Sequence, residues 1–142
     1  MLRIACLLVI CLIPGAVAAD EPAAPMVVVQ SFVRAYNDHD LDGMVKLLAD
    51  DVAWASVEGD KVVTEAATRA ELLNKLAVYF KQYPNARSVL EQSFVSGSYV
   101  SVRERAFWKQ DGKTLSATAV AVYETANGLI TRAWYYPAAA QP

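Results

Sequence analysis

The spacing of apolar residues changes once along this chain, and that change orders its elements. Val29, Phe32, Val33 and Tyr36 recur at helical spacing behind Pro25, which suits a first helical turn. Asn37-Asp38-His39 ends this helix. Asp40 can cap a second one carrying Leu41, Met44, Val45, Leu47 and Leu48. Residues 52–57 read as a short strand, with Gly59-Asp60 as a turn and 61–63 as a brief partner. Thr68 and Glu71 match a capping box, and the helix they open carries Leu72, Leu73, Leu76, Tyr79 and Phe80 before Pro84 stops it. Beyond Pro84 the period becomes two. Strands are predicted at about 87–96, 99–109, 114–124 and 129–136, with Asp111-Gly112 and Asn127-Gly128 as hairpin turns. Helices first and strands after predict an α+β layer, with three N-terminal helices on one face of a curved antiparallel sheet.

The first residues read differently. Arg3 supplies one positive charge, residues 4–13 are an unbroken apolar run, and Pro14-Gly15 leads into Ala16-Val17-Ala18-Ala19. These are the parts of a secretory signal peptide, with cleavage after Ala18 or Ala19. The run is short of the ~20 residues that span a bilayer, so no stable membrane insertion is expected after cleavage. The expected organisation is a signal peptide at 1–19, a flexible leader at 20–25, one domain at 26–137 and a flexible tail at 138–142. The expected location is periplasmic or secreted.

Both cysteines, Cys6 and Cys11, fall within the signal segment, so the exported domain would have no disulfide, thiolate ligand or cysteine nucleophile. Losing Arg3 leaves 12 basic against 15 acidic residues, which gives no basic excess for nucleic acid. With 55% hydrophobic and 20% charged residues the chain is not of disordered composition.

Four segments together resemble one superfamily: residues 35–43 (AYNDHDLDG), 47–54 (LLADDVAW), 96–103 (SGSYVSVR) and 127–132 (NGLITR). The chain resembles the nuclear transport factor 2-like superfamily, and its SnoaL-like branch in particular. The resemblance implies a cone, in which three helices and a bent sheet enclose one apolar pocket. Members include isomerases, cyclases and dehydratases, and also non-catalytic binding and dimerisation modules. The ketosteroid isomerases of this superfamily place a general-base aspartate, an oxyanion-hole tyrosine and a protonated acid at positions that fall here on Ser56, Phe32 and Val120. None of the three can fill its role, so steroid isomerisation by that route is rejected.

One polar residue remains on the face that should look into the cone. Alternation puts Val100, Val102, Glu104, Ala106 and Trp108 on one side of their strand, with Arg103, Arg105 and Lys109 on the other. Burial disfavours the charged form of such an acid and would suit Glu104 to proton transfer. The plainer reading pairs Glu104 with a neighbouring arginine or leaves it at an open rim. The resemblance implies Phe32, Tyr36, Trp54, Ser56, Val102, Val120 and Tyr135 as ligand-binding residues, with Tyr36, Trp54 and Tyr135 gripping a flat apolar ligand.

His39, the single histidine, is expected to be an exposed residue of the corner between two helices. The run from Asp38 to Gly43 imitates the start of a calcium loop, but its twelfth position is Ala49 where a glutamate is required. Its acids read better as helix caps, and the residues call for no metal or cofactor. The strand at 114–124 has two apolar faces, with Leu115, Ala117, Ala119, Ala121 and Tyr123 on one and Val120 and Val122 on the other. One chain supplies helices for one face only, so a homodimer through the convex face is expected. Two functional readings stand. The first is an exported domain that binds a small apolar molecule, with or without isomerase-, cyclase- or dehydratase-type acid–base chemistry. The second is a non-catalytic dimeric binding or assembly module whose cone is filled by side chains.

Overall fold

A computed structural model describes residues 23–137. The expected signal segment, the start of the expected leader and the expected tail lie outside the described residues. The elements are α1 (Pro25–Asn37), α2 (Leu41–Val45), β1 (Leu48–Glu58), β2 (Lys61–Ala66), α3 (Arg69–Gln82), β3 (Arg87–Ser96), β4 (Tyr99–Gln110), β5 (Lys113–Ala126) and β6 (Leu129–Pro137).

The helices begin where their caps are. Pro25 occupies the first turn of α1. Asp40 Oδ1 accepts from the Gly43 amide at 2.9 Å, so the acid expected to cap α2 does so. A Cβ at Gly43 would collide with that same carboxylate. Thr68 Oγ1 accepts from the Glu71 amide, and the Glu71 carboxylate accepts from the amide of Ala67. The second helix is shorter than its apolar spacing predicts. Leu47 and Leu48 leave it, and β1 starts at Leu48, because Leu48 is drawn into the sheet opposite Ile130 and both are fully buried.

The six strands form one sheet in the order β2-β1-β6-β5-β4-β3. Each consecutive pair of strands within β1–β2 and within β3–β6 is antiparallel. The pairing of β1 with β6 is parallel, a departure from the all-antiparallel expectation. It arises because β1 returns to the sheet beside the last strand. The hairpins turn at Asp111-Gly112 and Asn127-Gly128, where all four residues have positive φ, as two-residue turns between twisted strands require. Register shifts at Trp54/Ala55, Leu90/Gln92 and Glu124/Thr125 mark bulges, which bend a sheet locally.

The helices cover the inner face. Val28, Val29, Phe32 and Val33 of α1 and Leu72 and Phe80 of α3 meet Val52, Val100, Val102, Ala121, Tyr123, Ile130 and Ala133 of the sheet. The outer face carries no helix among the described residues. Phe94 is 66% exposed, Val120 49% and Tyr136 47% on that side.

Candidate functional site

Glu104 faces inward because nothing interrupts the alternation of its strand. The β4–β5 ladder runs without a register shift from Tyr99 opposite Glu124 to Gln110 opposite Lys113. The bulge in this part of the sheet falls on β3, at Glu91. Glu91 then takes the outer-face arginines, at 2.6 Å from Arg105 Nε and 3.3 Å from Arg103 Nε. The arginines that could have paired with Glu104 are therefore used on the opposite side of the sheet.

Glu104 is buried and meets three hydroxyl groups from three other strands. Ser88 Oγ on β3 donates to Oε1. On Oε2, Tyr123 of β5 donates at 2.8 Å and Tyr135 of β6 at 3.0 Å. The two phenol oxygens also touch each other. Hydroxyl donors thus replace the water that a buried carboxylate gives up. The apolar face seen in the sequence is apolar along β4 only, since its polar partners arrive from β3, β5 and β6.

Burial raises the Tyr123 and Tyr135 phenols well above the ordinary tyrosine value, and the charge of Glu104 pushes the same way. Tyr36 is raised too, chiefly by burial, then by Tyr79 beside it and by Glu104. These phenols therefore remain protonated donors at any ordinary pH.

A cavity of about 170 Å³ opens on this cluster. Its polar wall is Ser88, Glu104, Tyr36 and Tyr135. Its apolar wall is Phe32, Val33, Trp54, Leu72, Leu76 and Ala106. Trp54 organises the aromatic side, with its ring 5.5 Å from Phe32, 5.6 Å from Tyr135 and 5.8 Å from Tyr123 between centroids. A second cavity of about 150 Å³ shares Glu104, Ala106 and Tyr135 with the first and continues along Ala117, Thr118, Ala119 and Pro137. A wider surface depression of about 710 Å³, between the start of α1 and the β5–β6 turn, is lined by no titratable side chain.

The structure brings together Phe32, Tyr36, Trp54, Glu104 and Tyr135 of the expected site residues. Val102 is 2% exposed in the core and does not line this cavity. Ser56 is beside Tyr135 across the parallel ladder, but its hydroxyl donates to Glu65 at 2.8 Å. Val120 is corrected outright. It pairs with Arg103 on the outer face, because alternation along β5 turns Ala119 and Ala121 inward. Trp108 keeps the expected side of β4, in register with Glu104 and Ala106, but lies beyond the cavity and lines a separate surface pocket with Arg87 and Thr114. His39 is half-buried rather than exposed. Its ring stacks on Phe80 at 4.0 Å, and its Nε2 is 2.9 Å from the Ala86 carbonyl oxygen.

Sequence reasoning missed Ser88 and placed Tyr123 only on an apolar face of its strand. The Asp111-Gly112 turn would have registered Glu104 against Ala119, with Tyr123 further along the same inner face. Ser88 carried no such signal, since the β3 bulge resets its register.

A family model described as "SnoaL-like domain" matches residues 29–133. No curated protein matches the chain by sequence. Among solved structures the chain is similar to wild-type IdmH, a candidate polyketide cyclase from Streptomyces antibioticus, at 16% identity over 81% of this chain and 92% of that one, with a TM-score of 0.69. It is similar to TerC, co-crystallised with polyporic acid, at 19% identity over 79% and 90%, with a TM-score of 0.67. It is also similar to Bal32a from a soil-derived mobile gene cassette, at 17% identity over 81% and 89%, with a TM-score of 0.70. At these identities the likeness is one of fold.

Proposed function

This chain belongs to the SnoaL-like domain family, and we propose that it takes a small apolar molecule into its cavity and presents it to Glu104 for proton transfer. The observation that carries this reading is a buried carboxylate on the wall of an otherwise largely apolar cavity. Enclosure of this kind excludes water and strengthens each polar contact inside.

The chemistry follows from the groups present. Glu104 can take a proton from a carbon beside a carbonyl, or from a hydroxyl, and return it elsewhere on the same molecule. A phenol that stays protonated can donate to the oxygen on which negative charge collects. Tyr135 lines the cavity and would take that role by turning its one O–H from Glu104 to the ligand oxygen. Trp54 and Phe32 offer flat apolar surface for the rest of the ligand. Isomerisation, cyclisation and dehydration all fit a single carboxyl group with phenol donors. IdmH, which shares the fold, is described as a candidate polyketide cyclase, in keeping with chemistry of this class.

A second reading has its own observation. Ser88, Tyr123 and Tyr135 already occupy the Glu104 oxygens, as they would in a purely structural polar core of a binding or assembly module. The exposed Phe94, Val120 and Tyr136 support assembly as a homodimer through the outer face, under either reading. Export is proposed on the first nineteen residues alone. Native mass spectrometry of the chain purified from the exported fraction tests these points together. A dimer of cleaved chains carrying a non-covalent adduct supports the ligand reading. A dimer free of adduct favours the assembly module, and an intact N-terminus removes the export proposal.

A further inference from the structure

Glu104 is held from outside its cavity. We infer that Asn37, which lines no part of that cavity, is a positioning residue for Glu104 and acts through Ser88. Ser88 is near the start of β3, one of the two edge strands of the sheet. An edge strand turns every second amide and carbonyl away from its neighbour, where they go unpaired. At Ser88 the side chain of Asn37 fills that edge. Its Nδ2 donates to the Ser88 carbonyl oxygen at 2.9 Å, and the Ser88 amide donates to Oδ1 at 2.6 Å. The two residues are 51 positions apart in sequence.

This two-point pairing fixes the backbone of Ser88 in position and direction, and its Cβ with it. The Ser88 hydroxyl is thereby set on Glu104 Oε1, the oxygen that the phenols do not reach. Asn37 is itself anchored. It ends α1, and two residues later His39 stacks on Phe80 and meets the carbonyl of Ala86, two residues before Ser88. The corner between α1 and α2 thus holds the chain at Ala86, just before β3, and at Ser88, within it. Without Asn37, Ser88 keeps its hydroxyl but loses the pairing that aims it, and Oε1 is left facing the cavity without its donor.

The inference rests on the proposed role of Glu104 for its functional meaning, but its geometry is tested without a ligand. The readout is the carbon-13 resonance of the Glu104 carboxyl carbon in the glutamate-labelled protein at one neutral pH, assigned by its loss in Glu104→Gln. The groups that face this carboxyl are Ser88 of β3, Tyr123 of β5, Tyr135 of β6 and Tyr36 of α1. Ser88→Ala should displace the resonance. Asn37→Ala should displace it in the same direction by about half as much or more, and the double variant should add little to Ser88→Ala, as coupled neighbours do. Asp38→Asn, in the same corner, should leave it in place.

An Asn37→Ala variant that melts earlier but keeps the wild-type resonance would make Asn37 merely structural and overturn the inference. Full additivity with Ser88→Ala would do the same. Should Asn37→Ala not fold, Asn37→Asp gives the same reading. It keeps an acceptor for the Ser88 amide and sets an oxygen against the Ser88 carbonyl, so an unmoved resonance there also overturns the inference. A ligand that binds without regard to Glu104 would remove the proposed function and leave this result standing.

Discussion

Tyr123 and Glu104 meet across β5 and β4, phenol to carboxylate at 2.8 Å, and Tyr123 is fully buried. A donor removed from a buried carboxylate leaves the acceptor unsatisfied, at a cost of about 1–3 kcal/mol. Tyr123→Phe removes the hydroxyl and little volume, so it should destabilise the fold by that amount in urea unfolding. An unchanged unfolding midpoint would show that Tyr135 alone satisfies Oε2.

Trp54 is the aromatic hub, within 6 Å of Phe32, Tyr123 and Tyr135 by ring centroid. Trp54→Ala should cost ~3 kcal/mol, the low end for a large aromatic because the side chain is only half-buried. It should also weaken binding of any flat ligand. Calorimetric unfolding checks the first point. A loss under about 1 kcal/mol would mean that the ring is not packed as described.

Alkali should unfold the protein, and the sign follows from the phenols. Tyr36, Tyr79, Tyr123 and Tyr135 are raised above 10.0, each chiefly by burial. Below that value the phenols are protonated in both states and add no pH dependence. Above it the unfolded chain releases protons that the folded chain retains, so their stabilising contribution is lost as pH rises from 10.0 towards the folded values. The urea midpoint at about pH 11 should lie below that at about pH 9, with the phenolate absorbance appearing together with unfolding. Equal midpoints would contradict the burial of these hydroxyls.

Val120 is 49% exposed on the uncovered face of the sheet. Val120→Asp should cost the fold about 1 kcal/mol or less, since the site is solvated. If the outer face joins two copies, the same change should turn a dimer into a monomer in sedimentation velocity. A variant that sediments as the wild-type dimer would place the interface elsewhere.

The fold was legible because its signals are local. The helical stripe of Val29, Phe32 and Val33, the capping box at Thr68 and the two turn dipeptides each act within a few residues, and each stands where expected. The parallel return of β1 beside β6 was not legible, since it depends on where a strand ends up after the rest of the sheet is laid down. The site divides in the same way. Glu104 could be read from alternation within one strand. Its three hydroxyl partners lie 16, 19 and 31 residues away and are set by register between strands, which a bulge can shift by one. Val120 was misplaced through an assumed correspondence that the alternation of its own strand contradicts.

The most direct test of the account is a titration of the labelled protein with 2-naphthol, a two-ring hydroxyl compound chosen for the two adjoining cavities. The resonances of the Glu104 carboxyl carbon and the Tyr135 ring should move together along one saturation curve, and Glu104→Gln should weaken that binding by about tenfold. Binding that leaves Glu104 unmoved and survives Glu104→Gln unchanged, or no saturable binding, would contradict the assignment of this cavity and this carboxylate as the functional site.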